Sequence, residues 1–140
     1  MSRSMITVVA GLLSLASSTA LSQERGVAGS HGDGHFGTVH FAATCRSDVA
    51  PQFDHAVALL HSFEFSASIK AFNGVLASDS TCAMAYWGIA LNRWTNPMAP
   101  TKRPVAGLQS GRDAANAATR LGANASDRER GYISAVGKLY

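Results

Sequence analysis

The chain has 140 residues and a formal net charge of +3 at pH 7, with nearly half of its side chains hydrophobic, enough for one small domain with a core of its own. So weak and evenly spread a positive balance, without charge runs, argues against a nucleic-acid surface. The one basic pair, Lys102–Arg103, lies beside prolines, as in a solvated loop.

Residues 1–22 have a short basic start at Arg3, the apolar run ITVVAGLLSLASSTAL and small residues at the end. That layout predicts a secretory signal peptide, cleaved after Ala20 or Ser22. The run is shorter than the ~20 residues that span a bilayer, so no membrane association is expected beyond the signal segment. The mature chain is therefore expected in a periplasmic or other extracytoplasmic space.

Residues 23–44, QERGVAGSHGDGHFGTVHFAAT, show no helical period and predict a flexible arm containing glycine and histidine. His31, His35 and His40 are spaced four and five apart with no helix to bring them to one face, and no metal site is expected from them. The glycines of GSHGDGH precede no strand-to-helix transition, so the stretch does not match a phosphate cradle. Two cysteines follow, Cys45 and Cys82. An exported chain favours a disulfide between them, which would contribute on the order of 3–4 kcal/mol, and the alternative is a pair of buried free thiols. There is no CxxC pair, so a dithiol redox site is not expected.

The first helix is predicted to begin near Asp48, with Pro51 in the first turn, where its missing N–H is no loss. Phe53, Ala56, Val57 and Leu60 recur at i, i+3, i+4 and i+7 and form one apolar stripe, flanked by His55 and His61. A second helix runs from about Glu64 to Ala77, with Phe65, Ile69, Phe72 and Leu76 on one face. Gly74 lowers its intrinsic helicity by about 1 kcal/mol relative to alanine, so packing has to hold it. The turn at 78–81 leads to a third helix at 83–94, for which Asp79 or Ser80 is the expected cap.

Phe53 and Trp87, Ala56 and Ala90, Val57 and Leu91, and Leu60 and Trp94 are pairs of matching character, each 34 residues apart. That period marks helix-turn-helix repeats, units that cannot cover their own apolar faces and stack on one another. The second copy is interrupted by Pro97, Pro100 and Pro104, which predict a long loop over 96–104. A fourth helix is expected from Val105 to Leu121, with Gly122 as its C-terminal stop. Ser126 and Glu129 form a capping box for a fifth, whose stripe is Tyr132, Ile133, Val136 and Tyr140. Nothing in its own repeat would cover that stripe, which implies a truncated chain or one completed by a partner.

Ser68, Phe72 and Val75, followed by a short turn, then Tyr86, Trp87, Ile89 and Ala90, resemble the tetratricopeptide repeat, over roughly residues 39–140. Ser68 stands where the family usually has alanine, Ser80 where it has proline, and Leu59 and Arg93 where it has tyrosine. The chain is similar to long exported bacterial tetratricopeptide proteins of undefined activity. The resemblance implies an all-α solenoid of about two and a half repeats over 45–140. It implies a concave face of first helices that holds a protein or peptide partner, with Phe53, Val57, Leu60, His61, Met84, Trp87, Leu91 and Trp94 directed to it. The competing account puts Trp87 and Trp94 in the core.

The sequence contains no nucleophile elbow, phosphate loop, paired catalytic carboxylates or metal-ligand cluster. The reading is thus a non-catalytic exported interaction scaffold without a cofactor. Two alternatives remain: a helical accessory region of a larger exported enzyme, and a redox or metal-handling module using Cys45, Cys82 and the N-terminal histidines.

Overall fold

The structure, a computed structural model, describes residues 36–99 and 102–140. The expected signal segment, with His31 and His35 of the arm, lies outside the described residues. Every regular element among those described is helical. They are α1 (Ala50–His61), α2 (Phe65–Ser78), α3 (Ala83–Trp94), α4 (Val105–Leu121) and α5 (Asp127–Gly137), with 3-10 turns at Ser47–Val49 and Gly122–Asn124.

The first 3-10 turn, which contains Asp48, feeds α1; the N-cap is Val49 without a side-chain bond, so Asp48 does not cap the helix, while Pro51 occupies its first turn as expected. Phe63, within the α1–α2 turn, adopts the left-handed region, at φ 62°. This reversal is three residues long, so α1 and α2 run antiparallel and bury their stripes against each other. Phe53 and Phe72 meet edge to face at 5.5 Å, both almost fully enclosed. Ser68 of α2 makes two buried hydrogen bonds. Ser68 Oγ donates to the Ala56 carbonyl (2.8 Å) and accepts from Asn92 Nδ2 (2.9 Å). One buried hydroxyl therefore links α1, α2 and α3.

Asp79 is not the cap of α3. The N-cap position belongs to Cys82 and receives no side-chain hydrogen bond. The Asp79 carboxylate instead accepts from the Thr81 N–H (3.1 Å), the Thr81 hydroxyl (2.7 Å) and the Arg46 N–H (2.9 Å), closing the α2–α3 turn on itself and on the segment before α1. Burial would raise its pKa, but these donors outweigh it and hold the group below the ordinary carboxylate value.

Among the described residues, helices α3 and α4 make the closest backbone approach, because the buried residues of α4 are only Gly111, Ala114, Ala115, Ala117 and Ala118. Small side chains let the two backbones approach. Gly122 follows α4 but not as the left-handed stop expected: its φ is −72°, it opens the second 3-10 turn, and a Cβ there would lie 3.0 Å from Ile133 Cδ1. Close packing of α5 is what favours glycine there.

The stripe of α5 is not left bare. Ile133 and Val136 are buried against the common core, and Tyr132 meets Trp87 at 5.7 Å. Tyr140 folds back to α3, where its hydroxyl donates to the Ala90 carbonyl (2.6 Å) and its ring meets Trp94 edge to face. Burial pushes the Tyr140 phenol up to about 12, against the opposing charges of Arg103 and Arg93.

Each helix packs on its neighbours in sequence, and α1 also touches α3, as α3 touches α5. Helices α1, α3 and α5 thus form one row, each joined to the next through α2 or α4. No helix among the described residues is long and apolar enough to cross a membrane.

Candidate functional site

Residues 36–44 lie across the row of α1, α3 and α5, and the strip of surface they cover is termed the groove. Residues 36–43 have no helical or strand assignment, yet they are anchored at several points. The Phe41 ring stacks on Trp87 of α3 (5.7 Å, interplanar angle 25°) and packs against Phe53 of α1 (5.8 Å) and Tyr132 of α5 (5.6 Å). One side chain thus bridges all three helices of the row. The Arg128 guanidinium of α5 lies over the same ring, at 5.1 Å, in a cation–π arrangement.

The backbone of the segment is bonded by helix side chains. The Phe41 N–H donates to Asp54 Oδ1 of α1 (2.9 Å), the Ala42 carbonyl accepts from Arg128, and the Thr44 N–H and hydroxyl donate to the two oxygens of Glu129 (2.6 and 2.5 Å). The inward side chains alternate: Val39, Phe41, Ala43 and Cys45 pack on the core, while Thr38, His40, Ala42 and Thr44 are exposed. This two-residue period is that of an extended chain. His40, one of the arm histidines, is exposed and has Nδ1 3.6 Å from Asp54.

Glu129 is the pivot. It is 1% exposed, and its carboxylate also accepts from the Ser126 N–H (2.8 Å) and hydroxyl (2.6 Å), completing the expected capping box. Burial acts to raise its pKa. The four donors from Ser126 and Thr44 prevail and lower it from 4.5 to about 2.

The segment ends at Cys45, which is joined to Cys82 at the start of α3 in a disulfide with Cα atoms 4.8 Å apart. Asp79 lies beside the two sulfurs, the one convergence of three potential metal donors among the described residues. Joined to each other, the sulfurs offer no thiolate, and the Asp79 oxygens already accept three hydrogen bonds. Cys82→Ser should remove about 3–4 kcal/mol of stability from the oxidised protein by freeing a loop with a sequence separation of 37, and leave the reduced protein's melting temperature unchanged. Thermal unfolding with and without reductant measures this, and an equal melting point under oxidising conditions would reject a stabilising bridge.

The residues expected on a concave face are not gathered on one open surface. Phe53 and Trp87 touch Phe41 but are themselves enclosed in the core with Val57, Leu60 and Met84, so Trp87 lies where the competing account puts it. Leu91 is half-buried, and His61 is exposed at the end of α1. Trp94 is half-buried at another place, between Tyr140 and the Arg103 guanidinium, which sits 4.1 Å from its ring centre. The physical reason is that α1 and α3 use the same stripes to pack on α2, on α4 and on each other, which encloses most of them. Phe41, Asp54, Arg128 and Tyr132 carry the site, and sequence reasoning does not single them out for it. The alternation Val39, Phe41, Ala43, Cys45 is the signal that marks the segment. Comparison with known proteins finds no matching protein-family model, curated protein or solved structure.

Proposed function

We propose that this chain is an exported, non-catalytic interaction scaffold of tetratricopeptide-like helix pairs, whose row of first helices receives an extended protein segment. The observation that carries the reading is the seating of residues 36–44 across α1, α3 and α5, with the Phe41 ring on Phe53, Trp87 and Tyr132. A surface able to hold one extended chain by side-chain bonds to its backbone and an aromatic pocket is chemically suited to hold another.

Further support comes from the helix order. Helices α1 and α2 form one antiparallel pair, α3 and α4 a second, and α5 begins a third in the same row. Phe53 and its counterpart Trp87, 34 residues on, both lie against Phe41, which fits a repeating architecture with one residue per repeat at equivalent points of the groove. The Cys45–Cys82 disulfide suits an oxidising, extracytoplasmic space. Among the described residues, the two carboxylates with strongly satisfied oxygens, Asp79 and Glu129, are committed to structural hydrogen bonds.

The test is site-specific photo-cross-linking in an extracytoplasmic extract. A cross-linker at His55 or Tyr132, on the groove rim, should capture a discrete protein species, and one at Lys70 or Asp113, on second helices, should not. Equal labelling from both faces, or none from the rim, would reject the reading.

A further inference from the structure

We propose that residues 36–44 are a tethered ligand that fills the groove, so that a partner enters only by displacing them. The partner is inferred to be an extended peptide segment of the same pattern: apolar or small side chains at alternate positions around a central phenylalanine. This rests on the scaffold reading above and adds the identity of the recognised chain and the means by which the site is closed.

Three observations carry it. The polar groups that hold the backbone of the segment at Phe41, Ala42 and Thr44 are side chains of α1 and α5, namely Asp54, Arg128 and Glu129. A bound peptide is read in this way, whereas a segment integral to a fold commonly pairs with backbone. Next, the grip is concentrated on one ring: Phe41 meets an aromatic side chain from each helix of the row, and its flanking inward residues, Val39 and Ala43, are smaller. A single aromatic anchor in a pocket is how recognition surfaces concentrate their affinity.

The third observation concerns the tether. Cys45 is fixed to Cys82, and the next residue, Arg46, is held through its N–H by Asp79 and through its guanidinium by the Ser78 carbonyl (2.8 Å). These pins lie on the C-terminal side of residue 44. The segment can therefore lift out of the groove while the bridge, the α2–α3 turn and the five helices keep their contacts. Tethering gives the segment a high effective concentration, so a partner in trans has to exceed it in affinity or arrive when the anchor at Glu129 is weakened.

The experiment uses the full chain and a synthetic peptide of residues 36–44, FGTVHFAAT. Binding is followed by tryptophan fluorescence, since Trp87 lies under the ring, and by the rise in melting temperature of the protein. In the Phe41→Ala chain the peptide should bind saturably and at least tenfold more tightly than in the unmodified chain. A peptide with its own central phenylalanine replaced by alanine should not bind. A folded variant that shows no saturable binding, or one that takes both peptides equally, overturns the proposal. If Phe41→Ala does not fold, Thr44→Ala serves: it keeps the ring and every groove side chain but removes the segment's hydroxyl bond to Glu129, and it should bind the peptide more tightly than the unmodified chain. Absence of a gain there overturns the proposal too. A rim cross-link to a partner together with failure of the peptide would leave the scaffold reading standing and remove this one, whereas peptide binding without any partner cross-link would reject the scaffold reading and, with it, a partner that displaces the segment.

Discussion

Replacing Glu129 by glutamine lowers the stability of the protein at neutral pH by roughly 3 kcal/mol, the equivalent of its pKa displacement from 4.5 to about 2. Glutamine is close in shape to the protonated acid and presents an NH2 group where the carboxylate had an acceptor. Oε1 accepts from the Thr44 N–H alone and Oε2 from the other three donors, so the amide nitrogen faces one donor or three according to its rotamer. In a domain of about 100 residues such a loss moves the melting temperature by roughly 15 °C.

The pH dependence follows with a definite sign. The folded-state pKa of Glu129 lies below its unfolded value, so the unfolded chain binds the proton more readily. Its contribution is complete above about pH 4.5 and is lost as the pH falls toward 2. Asp79, also lowered, acts in the same direction in both proteins. The gap between wild type and Glu129→Gln should therefore be widest near neutrality and close in acid. Chemical denaturation at a series of pH values measures it, and a gap independent of pH would show that the carboxylate charge has no part in the stabilisation. The same protonation weakens the Thr44 anchor, so residues 36–44 should loosen in acid before the helices do.

Gly88→Ala is the second large effect. A Cβ at this position of α3 would overlap the Phe72 ring, which is fully buried and braced by Phe53. Alanine gains about 1 kcal/mol in helix propensity over glycine, but the overlap demands movement of a rigid ring in a packed core, and overpacking of this kind costs about 3 kcal/mol. A net loss of about 2 kcal/mol is expected, with a melting point lower by roughly 10 °C. Phe72→Leu on its own also destabilises. The double variant should be more stable than the sum of the two single losses predicts, because the smaller side chain vacates the space that the new methyl needs. Additive losses would mean that α2 and α3 do not meet at these residues.

The helices are legible in the sequence because their signals are local. Pro104 before Val105 and Gly122 after Leu121 bracket α4, and its observed bounds coincide with the expected ones. The stripe Phe53, Ala56, Val57, Leu60 is buried throughout. What the sequence hides depends on contacts distant in the chain. Glu129 declares itself through Ser126, three residues away, but its second partner, Thr44, is 85 residues away, and no local pattern reveals it. Asp79 reads as a helix cap because it precedes a helix, yet Arg46, 33 residues earlier, takes part of its acceptor capacity. The segment containing Phe41 is too short for its alternation to stand out, and the glycines upstream make the whole stretch read as a flexible arm. Its anchoring residues, Asp54 and Arg128, look like ordinary solvated helix charges until the three-dimensional arrangement brings them to one backbone.

Amide hydrogen exchange of the intact, oxidised protein tests the central claim most directly, because the N–H groups of Phe41 and Thr44 report on the segment and those of the five helices report on the stack. Both segment amides should be protected in the free protein, lose protection when the FGTVHFAAT peptide is added in excess, and do so while the helices keep theirs. Unprotected segment amides in the free protein, or loss of protection from segment and helices together, would contradict the account of a self-standing helical stack with a removable occupant.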